Sequence, residues 1–197
     1  MHKGSMVIRD EHRSLAAVLH ALRHVARAAV ASGKAPDFRL IDAMIAYIER
    51  FPEVCHHPKE DDHLYRLLRL RAPDCAATLD ELHEQHRDGV GRLARLKRVV
   101  AAWEMGLAPA GDFAGEVEAY SAFHWAHMRI EEDIVLPRAE AALTAADWSE
   151  IDLAFGANED PLRGVPAGGG VDFADLFRLI VNRTPAPIGL GPAVDAA

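Results

Sequence analysis

The sequence of residues 55–63 is Cys-His-His-Pro-Lys-Glu-Asp-Asp-His. Residues four apart lie on the same face of an α-helix, so the side chains of His56 and Glu60 can reach one metal ion. The same spacing recurs at His127 and Glu131, on what the sequence predicts to be a different helix. Two such pairs predict a helical protein that binds two metal ions.

The composition limits the class of protein and its partners. Half of the 197 residues are hydrophobic, which predicts one compact domain with a sizeable core. The net charge is −8 and the sequence has no cluster of Lys and Arg, so neither nucleic acid nor a membrane is expected as a partner. We expect no membrane span, secretory leader or disulfide framework, and therefore a cytoplasmic protein that is a monomer or a small homo-oligomer.

The first of four predicted long helices runs from about Asp10 to Ser32, and Gly33 follows it as a stop. His12 lies near its start, in line with apolar residues that recur at spacings of three and four. Its apolar stripe comprises Leu15, Leu19, Leu22, Ala26 and Val30.

The second helix is predicted to follow an N-cap at Asp37 and to end near residue 72. Pro52 and Pro58 each remove a backbone donor, so we expect a kink or a new helical start beside the first metal pair. The kink leaves the helical phase open, and His57 with Asp61 therefore offers the same four-residue spacing, displaced by one position.

The third helix is predicted to follow a cap at Asp74 and to carry His86 in phase with its leucines. His83 lies about 60° away around the helix, and Leu82 already occupies the core stripe there. We therefore predict that His83 lies at the surface or touches a ligand without binding the metal. The apolar stripe comprises Leu79, Leu82, Val90, Leu93, Leu96 and Val100.

The fourth helix is predicted from about Asp112 toward Leu143, with a bend at Pro137. It carries the second metal pair, His127 and Glu131. Its inner face is predicted to include Val117, Tyr120, His124 and Ile134.

The candidate ligands fall at one height when the four helices are stacked antiparallel. Each lies 17 to 21 residues from the predicted helix end that faces the same side of the bundle. At 1.5 Å per residue, this distance is roughly 26–32 Å for all of them. Independent surface histidines would not align in this way, so the alignment indicates one shared site.

Four imidazoles and two carboxylates suit two divalent or trivalent ions, each with two histidines and both sharing the carboxylates as bridges. Imidazole with carboxylate favours iron or manganese, and zinc remains chemically compatible. Each metal keeps an open position, so dioxygen, peroxide or nitric oxide could bind there directly. The candidate metal ligands are His12, His56, Glu60, His86, His127 and Glu131.

Residues 144–197 carry no histidine. Thr144 and Asp147 predict a capping box for a short fifth helix to Phe155, and a second short helix is predicted over residues 172–182 before a Pro/Gly-rich tail. We therefore expect a four-helix bundle over residues 6–143 and a helical cap over residues 144–197. The side chains predicted to pack this cap on the bundle are Trp148, Phe155, Phe173, Leu176 and Phe177.

The order and spacing of these ligands resemble the hemerythrin-like, HHE cation-binding family, over residues 6–143. The resemblance implies an all-α, antiparallel up-down four-helix bundle with a non-haem di-iron centre and an oxo or hydroxo bridge. It also implies that His56 and His127 are terminal ligands and that Glu60 and Glu131 are bridges. His12 and His86 would then be the remaining imidazoles.

The sequence departs from the oxygen-carrying hemerythrins on two helices. Those proteins have His-x3-His on the third helix and His-x4-Asp on the fourth, whereas this chain has His83-x2-His86 and His-x3-Glu. It is more similar to the bacterial members with four histidines and two glutamates, which are associated with nitric oxide, peroxide or iron handling. The resemblance implies binding of, or reaction with, a small ligand in sensing or stress response, with peroxide or nitric oxide turnover and iron storage as alternatives.

Other classes of protein fit the residues less well. A ferritin-like centre needs Glu-x-x-His on two helices, but both examples here, Glu53 with His56 and Glu60 with His63, share one helix. A purely structural bundle leaves the common height unexplained. A hydrolase needs a nucleophile signature, and Cys55 and Cys75 have none. Four further histidines are not counted as ligands: His20 and His24 on the first helix, and His63 and His124, which could donate protons or orient a ligand.

Overall fold

The structure of the chain is a computed structural model that describes residues 2–157, residue 180 and residues 182–184. Four long helical segments, bundle helices 1 to 4, run antiparallel and are joined by short connections. No strand occurs among the described residues. The predicted all-α four-helix bundle is therefore confirmed.

Bundle helices 1 and 3 are single α-helices, whereas bundle helices 2 and 4 are interrupted. Bundle helix 1 is α1 (Lys3–Ser32) and bundle helix 3 is α5 (Ala76–Glu104). Bundle helix 2 joins α2 (Phe38–Arg50), α3 (His57–Lys59) and α4 (Arg66–Arg71) through π-helical turns at Pro52–His56 and Glu60–Tyr65. Bundle helix 4 joins α6 (Ala110–Ile130) to α7 (Leu136–Ala142) through a π-helical turn at Glu131–Val135.

Helix α1 begins at Lys3, seven residues before the predicted start. Its predicted end is confirmed: Gly33 has a left-handed φ of 64°, and its N–H donates to the carbonyl of Ala29 at 3.0 Å. Most of the predicted stripe is buried, but Val30 is exposed, so its assignment to the core was wrong. It lies in the last turn of α1, near the end of the bundle.

The predicted irregularity in bundle helix 2 takes the form of π-helical turns. Asp37 is its N-cap, as predicted, and its carboxylate accepts a hydrogen bond from the N–H of Arg39 at 3.1 Å. Pro58 cannot donate a backbone hydrogen bond, and its ring crowds the carbonyl four residues earlier. The π-helical turn at Pro52–His56 widens the backbone at that point, so the helix continues past Pro58 without a break.

Two predictions for bundle helix 3 were wrong. Asp74 does not cap α5, because the N-cap position belongs to Cys75, and the Asp74 carboxylate pairs with Arg138 at 2.9 Å. Val90 is exposed, and Gly89 faces the interior in its place. A Cβ atom on Gly89 would lie 3.3 Å from Oε1 of Glu53, so a glutamate from bundle helix 2 fills the space.

Bundle helix 4 changes phase at its π-helical turn. The turn ends just before Leu136-Pro137, where the sequence predicted a bend. One extra residue in the turn rotates the later side chains, so Val135 and Leu136 are buried. Ile134 is exposed for the same reason, and its predicted place on the inner face was wrong.

Helix α8 (Ala145–Gly156) follows bundle helix 4 and packs on α1. The capping box between Thr144 and Asp147 is present, as predicted. Trp148 and Phe155 are buried, whereas Phe173, Leu176, Phe177 and most of the predicted helix over residues 172–182 lie outside the described residues. The division into a bundle and a cap therefore stays a prediction.

The apolar core forms two clusters, one toward each end of the bundle. One cluster contains Leu22, Ile41 and Phe113, and the other contains Ile8, Leu68 and Trp148. The predicted ligands lie in the polar layer between them. Across the described part of the chain, the helices are too short or too polar to cross a membrane.

Candidate metal centre

The six predicted ligands converge in the polar layer, and all six are buried. Glu60 lies in the middle of them. Its Oε1 is 3.2 Å from Nε2 of His56 and 3.8 Å from Nε2 of His12. Its Oε2 is 3.4 Å from Nε2 of His86. The two carboxylate oxygens of Glu60 therefore face different histidines.

Glu131 lies between His12, which also faces Glu60, and His127. Its Oε2 is 3.3 Å from Nε2 of His12 and also 3.3 Å from Nε2 of His127. Nε2 of His127 is in turn 3.2 Å from Nε2 of His86. The imidazoles thus form two halves, His12 with His56 and His86 with His127, and both glutamates lie between the halves.

Several buried atoms of this cluster have no hydrogen-bond partner among the described residues. They are Nε2 of His12, Nε2 of His56, both carboxylate oxygens of Glu60 and Oε2 of Glu131. Buried polar atoms are nearly always paired in folded proteins, and nitrogen and oxygen lone pairs pointing at a common centre are what a metal ion requires. The residues therefore fit a bound metal cation.

Two groups of side chains can each offer ligand atoms that lie within 4.8 Å of one another. One contains His12, His56 and Glu60, and the other contains His57, Glu60, His86 and His127. Glu60 belongs to both groups, as expected for a bridging residue. His57 belongs to the second, although the sequence had offered it only as an alternative to His56.

Each predicted histidine ligand is oriented by an oxygen atom that accepts from its outer nitrogen, Nδ1. The distances are 2.9 Å from His12 to Glu132, 2.7 Å from His56 to Glu11, 3.1 Å from His86 to Asp61 and 3.0 Å from His127 to Gln85. Such a bond holds the proton on Nδ1 and turns the lone pair of Nε2 toward the middle of the cluster.

Sequence reasoning missed these four orienting residues as a set. Each is adjacent in sequence to a predicted ligand, as Glu11 is to His12 and Gln85 is to His86. An adjacent residue on a helix is rotated by about 100°, which turns its side chain toward a neighbouring helix. A polar residue directly beside a candidate ligand was the available signal.

Tyr65 also contacts the centre. Its hydroxyl donates a short hydrogen bond to Oε1 of Glu131, and its ring lies nearly parallel to that of His86, with centroids 5.6 Å apart. This bond occupies one oxygen of Glu131 and leaves Oε2 facing His12 and His127. Nothing in the helical spacing identified Tyr65.

Neighbouring carboxylates raise the pKa values of three of the imidazoles. Burial opposes the charge of His56, but Glu60 and Glu11 outweigh it and raise its pKa to about 9. His86 is likewise buried, yet Asp61 and Glu60 raise its pKa to about 10. The pKa of His12 lies well above its ordinary value because Glu131, Glu132 and Glu60 overcome its burial. Burial dominates at His127 and lowers its pKa to about 3.

A second polar cluster lies beside the His86 and His127 half. It contains Glu53, His57, Tyr120 and His124, whose side chains are almost fully buried. The His57 ring stacks on His86, with centroids 4.3 Å apart and planes 15° apart. Burial and the nearby charge of His86 lower the pKa of His57 well below its ordinary value. Burial also raises the pKa of Glu53 to about 7.

The remaining histidines lie away from the predicted ligand positions. His83 is at the surface, as predicted, and its Nδ1 is 3.0 Å from Asp61, which also holds His86. His63 pairs with Glu150 on α8 at 2.7 Å, so it does not reach the centre. His20 is exposed beside Trp125, and His24 is partly buried.

The cysteines are separate from the ligand cluster. Cys55 is partly buried, and its thiol contacts the carbonyl of Arg50 at 3.5 Å. Cys75 is buried in the apolar cluster at the other side of the centre. The donor set is therefore imidazole and carboxylate, as the sequence predicted.

A four-helix bundle with imidazoles and carboxylates converging on its middle defines the class of metal-binding helical bundles. The model of the hemerythrin HHE cation-binding domain matches residues 4–139, and the chain belongs to that family. No curated protein and no solved structure matches the chain. The predicted family is thus confirmed, and the His/Glu cluster supports binding of a metal cation.

Proposed function

We propose that the chain is a non-haem di-iron protein that binds or reacts with dioxygen, nitric oxide or hydrogen peroxide. One observation supports this most strongly: Oε1 of Glu60 faces His12 and His56, whereas Oε2 faces His86. A carboxylate that presents one oxygen to each pair of imidazoles is suited to bridging two metal ions.

The proposed ligand set divides evenly between the two ions. His12 and His56 bind one ion, and His86 and His127 bind the other. Glu60 bridges them through both oxygens, and Glu131 contributes Oε2. The centre lacks thiolate ligands among the described residues, and nitrogen with carboxylate oxygen favours iron or manganese, with zinc also compatible.

His57 is not assigned as a ligand in this proposal. An imidazole binds a metal through a lone pair in the plane of its ring, at about 2.0–2.1 Å for zinc. The rings of His57 and His86 are stacked nearly parallel, so their in-plane lone pairs do not converge on one point. His57 instead lies over the outer side of that half.

This ligand set leaves coordination positions open. From the chain, each ion would receive two imidazoles and at most two carboxylate oxygens, so the donor set would leave room for an oxo or hydroxo bridge and a small ligand. When bound, the iron pair supplies electrons and a Lewis-acidic binding position. The chain itself excludes bulk water, since all six ligands are buried, and fixes the imidazoles through their outer nitrogens.

Sensing or stress response requires only that the small ligand bind, whereas turnover also requires polar groups beside it. The buried His57 and His124 next to the His86 and His127 half favour turnover of peroxide or nitric oxide as the second candidate. Iron storage or handling without catalysis is a third candidate that no particular contact favours. The small ligand is the proposed partner, and a cytoplasmic location is part of the proposal.

The experiment is metal analysis with an absorption spectrum after anaerobic iron reconstitution. We expect about two irons per chain and, after oxidation, ferric absorption in the near ultraviolet and visible. His86→Ala is expected to lose at least one iron. The matched control is His63→Ala, because His63 pairs with Glu150 away from the centre. Absence of bound transition metal in the parent protein would overturn the proposal.

A further inference from the structure

The second polar cluster, Glu53, His57, Tyr120 and His124, contains buried atoms without a hydrogen-bond partner in the described part of the chain. These are Oε1 of Glu53, Nδ1 of His57, the hydroxyl of Tyr120 and both ring nitrogens of His124. Native proteins rarely bury so many unpaired polar atoms together. Such a cluster is suited to a small molecule that both donates and accepts hydrogen bonds.

This cluster adjoins the His86 and His127 half of the metal centre. A nitrogen of His57 lies within 4.8 Å of ligand atoms of Glu60, His86 and His127. The ring of His57 is also nearly parallel to that of His124, with centroids 6.2 Å apart. A molecule among these imidazoles would therefore lie next to the second metal position.

The cluster also reaches the protein surface through Glu53. A groove between bundle helices 2 and 3 has Glu53 on its wall, together with Glu49, Val54, Val90, Leu93 and Lys97. The absence of a side chain at Gly89 makes room for the Glu53 carboxylate beneath this groove. The side chain of Glu53 is only 7 % exposed, and its Oε2 lies 3.5 Å from Nδ1 of His57, so this side chain separates the groove from His57.

The charges along the groove disfavour an anion. Lys97 is already paired with Glu49 at 2.7 Å, and Glu53 adds a second acidic group at the inner end. Imidazole offers one N–H donor and one acceptor, so His57 and His124 can hold a neutral polar molecule. Hydrogen peroxide has this chemistry, whereas nitric oxide and dioxygen donate no hydrogen bond.

We propose that Glu53, His57 and His124 line an inlet through which hydrogen peroxide, as a small neutral hydrogen-bonding molecule, reaches the His86 and His127 half of the centre. The inlet rests on the proposed di-iron function, since it names the small ligand and its route. A rival groove reaches the other half, at His12, and is lined by Ala16, Trp125 and Met128.

The test follows oxidation of the di-iron(II) protein by stopped-flow absorbance. In this reaction the O–O bond of hydrogen peroxide breaks and two hydroxide ions form. Each iron(II) gives one electron and becomes iron(III). The second-order rate constant is measured with hydrogen peroxide. The rate of nitric oxide binding is measured on the same samples. Nitric oxide serves as the comparison because it donates no hydrogen bond.

Gly89→Val is designed to obstruct the inlet, because its side chain would meet Glu53. The matched control is Gly91→Val on the same helix, where an added Cβ meets no atom within 4 Å. We expect Gly89→Val to retain two irons and to slow the peroxide reaction at least tenfold. Gly91→Val is expected to react like the parent.

A second variant keeps the test decisive if Gly89→Val does not fold. His124→Leu removes both unpaired nitrogens at similar volume and is expected to slow peroxide at least tenfold and nitric oxide less than threefold. If His124→Leu slows the reactions with hydrogen peroxide and with nitric oxide equally, the selection for hydrogen peroxide is overturned. Ala16→Leu narrows the rival groove. If it slows the peroxide reaction and His124→Leu does not, the proposed inlet is overturned.

The two proposals fail in different ways. A parent protein that binds no iron would overturn the di-iron function. A parent that binds two irons and reacts with nitric oxide, but leaves hydrogen peroxide unreacted, would overturn the inlet and keep the di-iron function.

Discussion

Glu131 and Glu132 are neighbours in sequence with different positions at the centre. Oε2 of Glu131 lies 3.3 Å from Nε2 of both His12 and His127. Oε1 of Glu132 instead accepts from Nδ1 of His12, on the side away from the centre. The first carboxylate can contribute directly to metal binding, whereas the second can act only through His12.

Substitution of these two residues should therefore give different metal contents. Glu131→Ala is expected to lose the dinuclear centre, leaving at most one iron per chain. Glu132→Ala is expected to keep two irons at saturating metal but to weaken binding roughly 10–100-fold, the usual effect of removing a group that orients a ligand. Iron titration with metal analysis measures both. Loss of binding in Glu132→Ala with full binding in Glu131→Ala would contradict the assignment.

Tyr65 provides a second prediction for a single residue. Its hydroxyl occupies Oε1 of Glu131, so Tyr65→Phe should free that oxygen to bind metal as well. We expect two irons with a shifted ferric absorption spectrum and a changed reduction potential, because the carboxylate donates more charge. Tyr120→Phe is the control, since that hydroxyl has no hydrogen-bond partner among the described residues. Identical spectra for parent and Tyr65→Phe would contradict this account.

The sequence identified residues whose position follows from helical spacing alone. His56 with Glu60 and His127 with Glu131 belong to this group, because four residues nearly complete one turn. The orienting residues and Tyr65 depend on which helices are neighbours and how they are rotated. That information belongs to the packed bundle, so spacing along one helix could not supply it.

The π-helical turns set the phase of the two helices that carry the metal pairs. Glu60 begins one turn, and Glu131 begins another. Each inserted residue rotates the following segment, which explains why Ile134 is exposed although a regular helix would bury it. The prolines indicated where these helices are irregular. They did not indicate that the irregularity takes the form of a π-helical turn.

The capping box of α8 gives a prediction for one element. The Thr144 side chain accepts from the N–H of Asp147, and Asp147 accepts from the N–H of Thr144. Thr144→Ala is expected to lower the free energy of unfolding by about 1 kcal/mol without changing the iron content. Denaturant unfolding measures the first and metal analysis the second. Thr78→Ala, within α5, is the control, because it removes a threonine that is not a helix cap. It should lower the free energy of unfolding by less than Thr144→Ala does.

The whole bundle places a charged layer between two apolar clusters. Without metal, this layer holds carboxylates and protonated imidazoles together, and the pKa values of His56 and His86 rise to about 9 and 10. Metal binding requires neutral imidazoles, so His12, His56 and His86 must release their protons. At pH 7 we therefore expect about three protons to be released per chain on loading with iron(II). Titration in weak buffer measures them, and release of none would contradict this charge state.

The same charges predict how stability depends on pH when metal is removed. A histidine with a raised pKa stabilises the fold fully below its unfolded pKa of about 6.5, and this contribution is lost as pH rises through the raised value. For His56 and His86 the loss extends to about pH 9 and 10. His127, whose pKa is lowered to about 3, acts oppositely: its contribution is present above about 6.5 and is lost as pH falls.

The metal-free protein should therefore be most stable near pH 7, and its unfolding temperature should fall steadily between pH 7 and pH 10. In the iron-loaded protein the imidazoles are neutral and bound to metal, so this alkaline loss should nearly disappear. Below about pH 6 the iron-loaded protein should lose more stability than the metal-free form, because protons compete with the metal for the histidines. Calorimetric unfolding of both forms from pH 5 to pH 10 measures this, and parallel curves would show that the buried charges do not couple to folding.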